Sequence, residues 1–136
     1  MLDLVFKNYT KQKSPGRSFF AKASEKAMKE LKLKDNLELS INLVGEAKIK
    51  SLNKKYRKKN KPTDVLSFPL GDGSGDIFIC LSIAKKEAKR ENIDIRTKLA
   101  QLMVHGFLHL LGYDHERSTR DANKMLQLEQ KILNKV

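Results

Sequence analysis

The stretch Leu99–Leu111 constrains the fold most. It is apolar throughout except for Gln101, His105 and His109. It is shorter than the ~20 residues of a membrane span, yet too apolar all round to lie on a surface. It therefore predicts a buried helix with other elements packed about it, begun by Asp94 as an N-cap. His105 and His109 are four residues apart, so they share one helical face about a turn from each other. Gly112, with no Cβ to clash at positive φ, can turn the chain out of the helix and bring His115 back toward them. These are the only 3 histidines of the chain. Three imidazoles with a fourth position open are the arrangement of a catalytic zinc, one ion per chain, rather than of a structural one.

The pattern is similar to the zincin helix, in which a His pair is followed by Gly and a third His. Metalloproteases carry Glu directly after the first His as general base, whereas this chain has Gly106. A glycine can neither take a proton from a zinc-bound water nor give one to a leaving amine, which argues against peptide cleavage.

The 136 residues fit one domain, 1–136, and 40% hydrophobic residues suffice for a single core. No basic segment precedes a long apolar one near Met1, so no secretory signal is expected, nor any membrane association. Cys80 is the single cysteine; it rules out an intramolecular disulfide, fits a cytoplasmic location, and is expected to pack in the core. The net charge of +12 attracts polyanions, nucleic acid first. It is densest at Lys54-Lys55-Tyr56-Arg57-Lys58-Lys59-Asn60-Lys61, six basic residues in eight. Lys54, Lys55, Lys58, Lys59 and Lys61 are candidate RNA-binding residues along a phosphate track.

Alternating Leu2, Leu4 and Phe6 predict a first strand. Ser14-Pro15-Gly16 predicts a turn, and Ser18 a cap for a helix through about Leu31. Leu37, Leu39, Ile41 and Leu43 predict a half-buried strand, and Glu46 to about Tyr56 a second helix. Val65–Phe68 reads as a short strand stopped by Pro69, Gly71–Gly75 as a turn-rich connection, and Asp76–Cys80 as another strand. Ser82 is expected to cap a helix through about Glu91, and Thr119 to begin the last one. The order β-α-β-α-β-β-α-α-α predicts α+β (or α/β), with a single mixed sheet of four strands and about five helices, one of them the zincin-like helix that bears the histidines.

Two blocks, Tyr56-Arg-Lys-Lys-Asn-Lys-Pro-Thr-Asp-Val-Leu-Ser-Phe-Pro69 and His105-Gly106 through Leu108-His109-Leu110 to Gly112-Tyr-Asp-His115, resemble the YbeY family of metal-dependent endoribonucleases. Gly75-Asp76-Ile77 with Ile79-Cys80 is a weaker third block. The resemblance spans most of the chain, and in the N-terminal third it is one of pattern only. It implies a zinc held by His105, His109 and His115, and a functional Arg57 near the metal. It also implies single-strand-specific RNA cleavage in ribosomal RNA processing, late 16S 3′-end maturation and ribosome quality control. The partners implied are ribosomal RNA, the small ribosomal subunit and ribosome-associated proteins. Arginine suits this role because it pairs bidentately with phosphate and stays charged. Asp114 either orients a liganding imidazole from behind or caps the turn after Gly112.

The motif itself holds no general base; Asp64 and Asp76 are the carboxylates that could assist a zinc-bound hydroxide or the RNA 2′-hydroxyl. Besides a zinc endoribonuclease, the residues allow an RNA-binding assembly factor with a structural zinc, or another zinc hydrolase.

Overall fold

The computed structural model describes residues 2–33, 36–113 and 119–135. His115 and Asp114 lie outside the described residues. The elements follow the expected order: β1 (Leu2–Asn8), α1 (Arg17–Glu30), β2 (Leu37–Val44), α2 (Glu46–Arg57), β3 (Val65–Gly71), β4 (Ser74–Cys80), α3 (Leu81–Glu91), α4 (Ile95–Leu110) and α5 (Thr119–Leu133). The strands form one mixed sheet in the order β1-β2-β4-β3. β1, β2 and β4 run parallel, and β3 pairs antiparallel to β4 at the edge. This is the expected α+β architecture.

Strand alternation divides the sheet into two faces. Leu4, Leu39, Ile41, Leu43, Ile77 and Ile79 point to the main core, shared with Phe20 and Ala27 of α1 and Leu99, Met103 and Phe107 of α4. Val44 and Cys80 meet Ile49 of α2 on the other side, with Leu66 in the same smaller cluster. Cys80 is fully buried, as a packing residue should be.

α4 is buried along most of its length. Asp94 caps it, accepting from the Arg96 backbone N–H at 2.7 Å. It crosses the sheet at Gly106, where an added Cβ would lie 2.9 Å from Ser67 Oγ and 3.0 Å from Ile77 Cγ2. The position after the first histidine therefore faces the sheet and leaves no room for a glutamate. At its end the Gly112 N–H bonds the His109 carbonyl (3.0 Å) and the Tyr113 N–H reaches back to Leu108 (3.1 Å). With Gly112 at φ +95°, this is a Schellman ending that turns the chain out after His109, as expected.

Four local expectations are corrected. Ser18 and Ser82 do not cap α1 and α3; the N-cap positions are Gly16 and Cys80, without side-chain caps. The Ser82 hydroxyl bonds Glu46 instead, at 3.3 Å. Pro69 does not stop β3, which runs to Gly71, because an edge strand tolerates a residue with no N–H to donate. The Gly71–Gly75 connection is a tight hairpin turn with Asp72 and Gly73 at φ +54° and +84°, the backbone of a type I′ turn.

Candidate functional site

Two local features bring the basic run to α4. α2 ends at Arg57, and Lys58 closes it in the left-handed region at φ +59°. Asn53, one turn earlier and buried, then pins the loop from both sides. Its amide donates to the Lys61 carbonyl (2.9 Å), and its own carbonyl accepts from the Lys59 N–H (3.2 Å). The loop continues into β3, which lies against α4, where the Ser67 hydroxyl donates to the Gly106 carbonyl (2.9 Å).

Between loop and helix is a cleft of about 590 Å³. Arg57, Lys59, Lys61, Thr63 and Asp64 line it from the loop side, and His105, His109, Gly112 and Tyr113 from α4 and its ending. Of the residues singled out in the sequence, Arg57, Lys59, Lys61, His105 and His109 thus converge. Lys54, Lys55 and Lys58 are exposed nearby but do not line the cleft. Lys55 instead places its ammonium 5.2 Å from the Tyr56 ring centre. The two spare carboxylates separate as well. Asp64 is in the cleft wall. Asp76 is on the sheet face opposite Ile77 and α4, accepting from the Ser40 hydroxyl at 2.6 Å.

The two histidines face each other through Nε2, 3.1 Å apart. His105 Nδ1 meets Glu129 Oε1 of α5. A carboxylate there is an acceptor, so it holds the proton on Nδ1 and leaves the Nε2 lone pair toward His109. Two nitrogens bound tetrahedrally at ~2.0–2.1 Å from one zinc sit about 3.3 Å apart, close to the spacing of this pair. The pair and its carboxylate thus fit a zinc ion, and imidazoles suit it chemically. Among the described residues no group of three ligating side chains assembles; the third histidine of the motif is His115.

Sequence reasoning missed Glu129 and Asn53. The signal for Glu129 was present: it follows Met125 by four residues and precedes Ile132 by three, a carboxylate on the buried stripe of α5. Asn53 is the one polar residue that α2 buries.

The chain is matched from residue 6 to 136 by a family model described as Endoribonuclease YbeY. A curated protein of that name from Persephonella marina is 41% identical over 128 residues, covering 88% of this chain and 83% of the relative. Another from a Sulfurihydrogenibium species is 42% identical over 127 residues, with the same two coverages of 88% and 83%. Among solved structures, the solution structure of TM1509 from Thermotoga maritima superposes with a TM-score of 0.66 at 30% identity, covering 98% of this chain and 87% of that one.

Proposed function

The chain belongs to the endoribonuclease YbeY family, and from that premise we propose that it is a zinc-dependent endoribonuclease that cuts single-stranded RNA in its histidine cleft. The observation that carries this reading is the facing Nε2 pair of His105 and His109 in one cleft with Arg57. His105, His109 and His115 would hold the ion, which as a Lewis acid would polarise a phosphoryl oxygen or lower the pKa of a bound water. Glu129 fixes the ring of His105. Arg57 pairs with the scissile phosphate and offsets the charge that grows on its oxygens in the transition state. Lys59 and Lys61 draw in the flanking backbone, and the lysines outside the cleft extend the positive field.

The substrate we infer is ribosomal RNA of the small subunit, cut during 3′-end maturation of 16S rRNA in the cytoplasm. Ribosome-associated proteins present it, and the same activity serves quality control. The deciding experiment is cleavage of a small-subunit rRNA 3′ precursor by purified protein, after chelation and again after zinc is restored. Cleavage should vanish and return, and Arg57→Ala should abolish most of it while zinc stays bound. Tight RNA binding with no cleavage under any metal condition would overturn the reading in favour of an assembly factor.

A further inference from the structure

The sheet face turned away from α4 holds a second cavity, of about 540 Å³, that the proposed function leaves unused. Asn42 and Val44 of β2, Phe78 of β4, Lys48 and Leu52 of α2, and Tyr9 just beyond β1 line it. Asn42 is only 7% exposed. Its amide donates to the Ser40 hydroxyl at 2.9 Å and to the Ile77 carbonyl at 3.3 Å, so both of its N–H groups are used. Ser40 donates in turn to Asp76, at 2.6 Å. Asn42 Oδ1 accepts no hydrogen bond among the described residues. It is not a buried orphan either, since Glu87 Oε1 is the one such atom among them. A carbonyl oxygen on a nearly buried residue thus opens on the cavity that the residue lines. A flat, apolar group with an N–H at its edge would satisfy it, and a nucleobase has both properties.

The cavity is also continuous with the histidine cleft. The Phe78 ring lies 5.8 Å from that of Phe68, and Phe68 lies 5.2 Å from Tyr56. Tyr56 is 57% exposed, and its neighbour Arg57 lines the cleft. Lys48, Leu52 and Tyr56, four residues apart, share one face of α2. Aromatic rings with lysines beside them therefore run from the cavity to the cleft, the arrangement that holds single strands by base stacking and phosphate pairing. Charge favours the same occupant. Lys48 is the one charged residue among those that line the cavity, and the nearby Glu46 pairs with Lys86 at 3.6 Å. From Lys48 to Arg57 the helix rises about 14 Å, the span of at most about four nucleotides at ~3.4 Å each.

We propose that this cavity is a nucleobase subsite for the strand bound in the cleft. The RNA runs along α2 over Tyr56, and one base enters the cavity, stacks on its aromatic side chains and donates an N–H to Asn42 Oδ1. Lys48 pairs with the phosphate of that nucleotide. A base in a duplex has its N–H donors taken by its partner, so the subsite accepts unpaired RNA only. The inference rests on the cleft being where RNA binds.

Stopped-flow anisotropy of the full-length, zinc-loaded protein tests it, because binding is read before the strand is cut. The probes are a fluorescent oligoadenylate long enough to span cleft and cavity, a short one that fills the cleft alone, and the long strand built of purine riboside, which lacks only the amino group of adenosine. Wild type should bind the long oligoadenylate more tightly than the short one. Tyr9→Ala, at a residue 63% exposed, should weaken long-strand binding roughly 5–150-fold, the effect of one lost stack. Purine riboside should bind roughly 2–12-fold more weakly than oligoadenylate, the effect of one hydrogen bond. Lys48→Ala should flatten the dependence on log salt by ~0.7, one phosphate contact. Tyr9→Ala and Lys48→Ala proteins that bind the long strand as wild type does would overturn the subsite and leave this face to a protein partner. Equal binding of adenosine and purine riboside strands would overturn the role of Asn42. If wild type cleaves RNA and the variants match it throughout, only this inference fails. A wild type that binds RNA but never cuts it removes the endoribonuclease reading, and the length and amino-group comparisons still judge the subsite.

Discussion

Gly106→Ala sets two opposing terms against each other at the point where α4 crosses the sheet. In a helix interior, alanine is better than glycine by about 0.8–1.0 kcal/mol. Against this, the new Cβ would sit 2.9 Å from Ser67 Oγ and 3.0 Å from Ile77 Cγ2. Ile77 is fully buried and has nowhere to move without disturbing the core, and overpacking of this kind costs ~1–3 kcal/mol. Ser67 can rotate away only by giving up its hydrogen bond to the Gly106 carbonyl, worth ~0.5–1.5 kcal/mol. The net expectation is destabilisation of about 1–3 kcal/mol. At this chain length each kcal/mol shifts Tm by roughly 3–5 °C, so calorimetry should show Tm lowered by roughly 3–15 °C. Adding Ser67→Ala removes the nearer clash, so the double variant should be less destabilised than the sum of the single ones. A Gly106→Ala protein as stable as wild type, or more so, would mean that helix propensity wins and that close approach does not explain the glycine.

Glu129→Ala should weaken zinc binding roughly 10–100-fold, the usual effect of losing a ligand's supporting acceptor, while Glu129→Gln, which keeps an acceptor oxygen, should lose less; competition with a chromophoric chelator reads both, and unchanged affinity in the alanine variant would remove Glu129 from the site. Replacing Lys59 and Lys61 with Ala should weaken single-stranded RNA binding and flatten its dependence on log salt by ~0.7 for each phosphate no longer neutralised; the same pair of changes at Lys54 and Lys55 should have the smaller effect, and equal slopes would mean that the cleft does not select among the lysines. Glu87 gives a pH signature. Its folded pKa is raised above 4.5, so its stabilising contribution is present below that value and lost as pH rises through the folded pKa. Glu87→Gln cannot ionise and should gain Tm relative to wild type across that window; parallel curves would contradict the shift.

The sequence revealed most where one signal dominated. The strand and helix order followed from periods of two and of three to four, and the end of α4 followed from Gly112 alone. It revealed least where tertiary context outweighed local chemistry. Ser18 and Ser82 are good caps by type, but the helices begin earlier, at Gly16 and Cys80. Pro69 ends strands in general, but not an edge strand. For the site, the spacing of His105 and His109 on one helix sufficed to pair them, and their Nε2 atoms stand 3.1 Å apart. Of the five lysines in the basic run, only Lys59 and Lys61 reach the cleft, because a helix end and the Asn53 clamp set their direction, and neither is a composition signal. Asp64 and Asp76 were indistinguishable in the sequence; one lies in the loop and the other on the far face of a strand.

The contact between His105 and Glu129 joins residues 24 positions apart, on two different helices. Chain order then has a consequence for assembly. When α4 has docked on the sheet, His105 and His109 already stand one turn apart with their Nε2 atoms facing, and the carboxylate that favours a proton on Nδ1 of His105 belongs to another helix. It arrives with α5, through Met125 and Ile132 packing into the core and carrying Glu129 with them. A polypeptide stopped before residue 129 would lack that acceptor at His105 Nδ1. A helix made later thus supports the chemistry of the one before it.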